Sequence, residues 1–293
     1  MAPPSQNASG SASSSKRMSY MHLAWSLGHI LVLLSTIWTF LGALFFKSRS
    51  TSYYIACSGA ILSWSIVVYK SLGIPSFSRA YFQRAAMDEN VQYLAVALYW
   101  FFSKPIYVTL LPFAIFSTFH SLTFVRTSLL PKIPSPKKDA TGASTSSGTG
   151  SEGPQQVAIA VSRSIQNWVK QNYESAMYLV AIIEVVVIQG RVTVGALLFQ
   201  NSFLHPLFFA HFLRLRFYLS PQTRAALSAV NTTIDHYLNH PSCPGAAKTG
   251  VNVVRNLIIQ YADSVISVPA QPAGSNATPS KLGRPPATPS SAR

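Results

Sequence analysis

A chain of 293 residues that is 48% hydrophobic and only 11% charged falls among polytopic membrane proteins and outside the range of soluble globular domains. Its formal net charge of +15 admits nucleic acid or an anionic membrane as partner, but the basic residues flank apolar runs, so the lipid bilayer is the expected partner and direct nucleic-acid binding is not. Two cysteines, Cys57 in an apolar run and Cys243 near the end, exclude a disulfide framework or a cysteine ligand cluster.

Residues 1–18 are small and polar and read as a disordered tail without a cleavable signal peptide. A first transmembrane hairpin is placed at 19–70. Its outgoing arm is the apolar run Leu23 to Phe46, and Lys16 and Arg17 before it predict a cytosolic N-terminus. A loop holding Lys47 and Arg49 follows, and Tyr53 to Tyr69 returns at the lower limit of spanning length. The connector 71–90 sets Phe77, Tyr81 and Phe82 among Arg79 and Arg84 after a break at Pro75, the pattern of a short interfacial helix. Asp88 and Glu89 at its end are read as helix-capping residues.

Val91 to Val125 is almost unbroken apolar sequence, with one charge at Lys104. As one helix it would extend about 52 Å, well beyond a hydrocarbon core of roughly 30 Å. Lys104-Pro105 is the natural turn, because proline cannot donate the helical hydrogen bond. The segment 91–126 is therefore a central hairpin with arms 91–103 and 105–125, the second kinked at Pro112. A Pro, Ser, Gly and Lys tract at 127–156 reads as a disordered cytosolic linker.

Residues 157–219 are read as a surface helix plus a third hairpin. Val157, Val161, Ile165, Trp168 and Val169 share one helical face, which should lie on the membrane or dock on the bundle. Met177 to Gln200 is apolar apart from Glu184, Gln189 and Arg191, and a spacing of seven puts Glu184 and Arg191 on one face. Ser202 to Tyr218 is taken as the return. With six crossings, Lys47, Arg49, Lys104 and Arg191 alone of 23 basic residues are lumenal or within spans, and 19 are cytosolic.

Amphipathic helices fill 220–268. Leu227, Val230, Ile234, Tyr237 and Leu238 form the first stripe. The second, at spacings of three and four, is Val251, Val254, Ile258, Tyr261 and Val265, with Leu257 beside it and Lys248 and Arg255 flanking it. These residues are the predicted membrane-surface site. Residues 269–293 read as a disordered basic tail. The whole is an all-α, polytopic helical membrane protein of about three transmembrane hairpins, with cytosolic amphipathic helices and disordered tails.

No nucleotide-binding, metalloprotease, hydrolase or CxxC motif occurs, so no enzyme activity, cofactor or metal is expected. His205 and His211, six apart, do not share a ligand face, and His120 reads as an interhelical polar group. The Glu184/Arg191 face leaves a second reading open, a small carrier or channel. Ser135, Thr278 and Thr288 each precede a proline and are candidate phosphorylation sites.

Ser78-Arg79-Ala80-Tyr81-Phe82 leading into Asp88-Glu89, then Tyr93-Leu94, Pro105, Pro112-Phe113, Phe116-Ser117 and His120, make one block; Pro206-Leu207-Phe208 and Phe212 to Phe217 make another. In this order and spacing the chain resembles the transmembrane protein 33 family, which includes fungal pore-membrane nucleoporins and the insect Krüppel homologue 2. The resemblance implies residence in the endoplasmic reticulum membrane and nuclear envelope, reticulon-type membrane-shaping proteins and nuclear pore proteins as partners, and a part in nuclear pore complex assembly or distribution. The Ser/Gly-rich linker after Pro131 and the Pro-rich tail depart from the animal pattern. The expected function is to shape or stabilise curved membrane, with both termini cytosolic.

Overall fold

The computed structural model describes residues 9–132, 154–241 and 243–264, and every regular element within them is helical. The linker core at 133–153, the segment from Val265 onward and the phosphorylation candidates Ser135, Thr278 and Thr288 lie outside the described residues. The chain forms two units, Met1–Tyr237 and Leu238–Arg293.

Among the described residues, four helical stretches are long and apolar enough to cross a membrane: Tyr20–Leu44, Ser50–Leu72, Tyr107–Leu129 and Gln156–Leu197. The first belongs to α1 (Ser9–Leu44), which takes in residues 9–18 that composition assigns to the tail. Extending an established helix by Ser and Ala costs far less than nucleating one. The second is α2 (Ser50–Leu72), longer than its apolar run because polar Ser50 to Ser52 and Lys70 to Leu72 continue the helix at both ends. The two cross at glycines. A Cβ on Gly59 would come within 2.8 Å of the Gly28 carbonyl oxygen, and Ser63 Oγ donates to the Trp25 carbonyl at 3.0 Å across the same contact. Small residues let helix backbones meet where lipid offers no hydrophobic drive for association.

After the short helix α3 (Arg79–Ala86), α4 (Glu89–Phe101) runs beside α2. Its 13 residues reach only about 20 Å. The chain nevertheless traverses the whole of α2, because contacts fix both ends. Ser71 Oγ donates to Asp88 Oδ2 at 3.0 Å at one end, and the Arg49 amide donates to the Tyr107 hydroxyl at 3.0 Å at the other. Non-helical residues 102–106, which include Pro105, cover the difference, since extended backbone advances about 3.3 Å per residue against 1.5 Å in a helix. A single 3-10 turn (Tyr107–Leu110) then leads into α5 (Leu111–Phe124). Pro112 sits in the first turn of α5, where no amide donor is needed, so it starts the helix and does not kink it.

The segments α6 (Pro154–Ile182), a π-helical stretch (Ile183–Ile188) and α7 (Gln189–Leu197) are continuous. The segment predicted as a surface helix and the apolar span after it are thus parts of one helix. Its first half lies along α5, with the Trp168 ring stacked on Phe119 at 5.6 Å and Tyr173 edge-on to Phe119 at 5.7 Å. α8 (Leu204–Leu219) returns antiparallel to α4: Phe208 stacks on Tyr99 at 3.8 Å and Phe212 meets Tyr93 at 5.5 Å. Among the described residues the chain runs back and forth in six antiparallel segments, four of them the long apolar stretches and two built on α4 and α8, helices of 13 and 16 residues. α9 (Pro221–Leu238) follows at the end where α4 begins, and α10 (Gly245–Ser264) lies in the second unit.

Candidate functional site

Charge inside the bundle gathers where α4, the π-helical stretch and α8 meet. Glu184 is 1% exposed, and its Oε1 accepts a hydrogen bond from the Tyr93 hydroxyl at 2.8 Å. The Arg216 guanidinium lies 5.2 Å from the centroid of the Tyr93 ring, and its Nη1 pairs with Glu89 Oε2 at 2.8 Å. Tyr93 thus sits between an acid and a cation, using its hydroxyl for one and its ring face for the other. Asp88 does the capping that the sequence indicates, its Oδ1 accepting from the Asn90 amide at 2.8 Å and the Val91 amide at 3.2 Å. Glu89 belongs to the ion pair instead.

Arg191 is not part of this group. It is exposed, and its guanidinium reaches toward Gly195 and Asn201. The seven-residue spacing assumes an uninterrupted α-helix, but the π-helical turns at Ile183–Ile188 accommodate an extra residue. One such residue leaves Arg191 rotated by about 120° from the Glu184 face. The predicted Glu184/Arg191 face does not form. The cavity beside Glu184 has a volume of about 10 Å³, room for one water at most.

A second polar group joins the first hairpin to α5. His29 Nδ1 and Ser117 Oγ are 3.0 Å apart, and the His29 and His120 rings lie 4.5 Å apart, with Trp25 edge-on to both. His120 therefore occupies the interhelical position expected of it. His205, by contrast, packs among the aromatic rings of Tyr99 and Trp100.

The surface elements carry a different chemistry. Ahead of α3, Ile74 and Phe77 are exposed, as are Phe82 and Met87 beside exposed Arg79 and Arg84. Ser78 caps α3 by accepting from the Tyr81 amide at 3.2 Å. In α9, Thr223 and Ala226 are buried whereas Ile234 and Tyr237 are exposed. In α10, Val254 and Lys248 are exposed and Val251 is half-buried; the side chains of Leu257, Ile258 and Tyr261, with Val265, lie outside those described.

A bundle of this length with a polar-capped central arm has sequence relatives along nearly its whole extent. The family profile of Transmembrane protein 33/Nucleoporin POM33 matches residues 4–264. The chain belongs to this family. It is 30% identical over 261 residues to Tetra-spanning protein 1 of Schizosaccharomyces pombe, covering 87% of this chain and 89% of the relative. It is also 30% identical over 270 residues to Nucleoporin POM33 of Chaetomium thermophilum, covering 88% and 92%. Human Transmembrane protein 33 is 24% identical over 177 residues, covering 58% and 62%. No solved structure matches the chain at a significant level.

For this member of the POM33 family, sequence reasoning found Glu184 as a buried-charge candidate but missed both its partners. Tyr93 and Arg216 lie 91 residues upstream and 32 downstream in the chain, and no local pattern links them to Glu184. The signal the sequence does carry is the residue types alone, a tyrosine and an arginine set within otherwise apolar arms.

Proposed function

We propose that this protein shapes or stabilises curved membrane of the endoplasmic reticulum and nuclear envelope, and through that supports nuclear pore complex assembly or distribution. The observation that carries this reading is asymmetry. α3 and the start of α9 belong to the bundle end at which α2 finishes and α4 begins, marked by the Ser71 to Asp88 and Arg216 to Glu89 contacts. Amphipathic elements confined to one end add area to one leaflet, and unequal leaflet area favours curvature. In this reading both termini are cytosolic, and α10 lies on the cytosolic surface. Its stripe of Val251, Val254, Leu257, Ile258, Tyr261 and Val265 inserts, and Lys248 and Arg255 contact anionic headgroups.

Relatives named as a nucleoporin and as a pore membrane protein support the pore as the site of action, and the reticulon-type partners implied by the resemblance belong to the same proposal. A carrier or channel gains no support from Glu184, which is enclosed by Tyr93 and separated from Arg191. The test is Ile258→Asp in the full-length protein. Its expected outcomes are loss of binding of the C-terminal segment to anionic vesicles and dispersal of nuclear pores in cells. Unchanged vesicle binding and pore distribution would refute the reading.

A further inference from the structure

Two of the hairpin tips are copies of one another. Gly42-Ala43-Leu44-Phe45-Phe46-Lys47 ends α1, and Gly195-Ala196-Leu197-Leu198-Phe199-Gln200 ends α7. Both close with the same pair of hydrogen bonds. The Lys47 amide donates to Gly42 O at 2.8 Å and the Phe46 amide to Ala43 O at 3.1 Å. The Gln200 amide donates to Gly195 O at 2.7 Å and the Phe199 amide to Ala196 O at 3.0 Å. This geometry places a residue in the left-handed region, and Phe46 at φ 55° and Phe199 at φ 56° are the only non-glycine residues with positive φ among those described. Glycine is the residue that such a position favours.

The glycine of each tip stands elsewhere, at the start of the motif. There a Cβ would collide with the returning chain, on Arg49 at the first tip and on Asn201 at the second. Both tips therefore place glycine where a polar side chain crosses the helix, and phenylalanine where the backbone is strained. Those phenylalanines lie outside the core, and the Phe199 ring meets only the exposed Phe203 ring, edge-on at 5.9 Å. Phe46 is 99% exposed and Phe199 is 84% exposed. Phe102, at the turn between the two central arms, is 82% exposed. All three lie at one end of the bundle, since the Tyr107 hydroxyl meets Ser48 Oγ at 3.2 Å and His205, just beyond the second tip, meets Trp100 at 5.7 Å.

We propose that this end of the bundle is a bilayer anchor in which Phe46, Phe102 and Phe199 insert at the boundary between acyl chains and headgroups. The occupant is lipid because the tips continue the exposed apolar flanks of the spanning helices, at Leu41 and Leu44 on one and Leu197 and Leu198 on the other. Exposed Lys47 and Lys104 follow within one or two residues and supply cations at headgroup depth. The strained backbone is maintained because it holds an aromatic ring at the tip, where the interface accepts it. This requires only that the long helices span, and not the leaflet assignment made above.

The test uses the full-length protein with photoreactive benzoylphenylalanine at position 46, 102 or 199, in phosphatidylcholine vesicles and in microsomes. Phospholipid adducts are expected at all three positions, with at least about fivefold less at buried position 113. Adducts to a second copy or to another protein, or no adducts at the tips, overturn the proposal. Phe46→Gly and Phe199→Gly supply the second arm. Each is expected to raise the unfolding temperature in detergent by roughly 2–4 °C, because the strain is relieved and no core packing is lost, the edge contact of Phe199 with exposed Phe203 being the one ring contact removed. A fall in unfolding temperature would show that the rings serve the fold and overturn the anchor.

Discussion

Alanine should have opposite effects at two helical glycines of this protein. Gly59→Ala places a Cβ 2.8 Å from the Gly28 carbonyl oxygen and 3.2 Å from both the amide nitrogen and Cγ2 of Val32. Ordinary contact begins near 3.4 Å, and two of these three neighbours are backbone atoms, so no side-chain rotation relieves the clash. α1 and α2 must separate by about 0.6 Å along their seam. Overpacking of this kind costs about 1–3 kcal/mol, against an intrinsic helix gain for Ala over Gly of about 1 kcal/mol. Overpacking also loosens the Ser63 to Trp25 hydrogen bond, so the net expectation is a loss of about 1–2 kcal/mol. Gly190→Ala is the control. Nothing lies within 4 Å of its Cβ position, so only the helix gain of about 0.5–1 kcal/mol remains. Equilibrium unfolding in mixed micelles, followed by tryptophan fluorescence, reads both. Wild-type or greater stability for Gly59→Ala would refute the backbone-contact argument, and a loss at Gly190→Ala would show that the helix-propensity term is not transferable here.

Tyr93→Phe should destabilise the protein by about 1–2 kcal/mol, because the buried Glu184 loses its donor. The same change on a Glu184→Leu background should cost less than half as much, measured as a double-mutant cycle. Asp88→Ala should cost about 1 kcal/mol through the lost cap, and Glu89→Gln clearly less, because its carboxylate is half-exposed and its ion pair is screened; urea titrations with and without added salt separate the two. In microsomes the sequons at Asn7, Asn231 and Asn276 should remain unmodified, whereas an acceptor engineered into an extended 46–49 turn should be glycosylated. Endoglycosidase-sensitive mass on Asn231 would place α9 in the lumen and reverse the proposed leaflet asymmetry.

Sequence alone determined what depends on local composition and spacing. Long apolar runs, the break at Lys104-Pro105 and the acidic cap before Val91 carry their physics within a few residues of chain, so the all-α membrane class and the cap by Asp88 follow directly. The family resemblance was legible for the same reason, through motifs in fixed order.

Tertiary structure decided the rest, wherever the energy lies between segments. A 13-residue helix traverses the length of α2 only because its neighbouring residues extend and Tyr107 meets the first turn, which no count of apolar residues contains. Glu184 takes Tyr93 and not Arg191 because π-helical backbone alters the register, a change invisible to any fixed helical period. Gly28 and Gly59 are indistinguishable from Gly190 as letters, and only the approach of a second backbone makes the first two indispensable. The paired tips show both levels at once: the repeat is written in the sequence, but that its phenylalanines occupy strained, uncovered positions is a property of the folded hairpins.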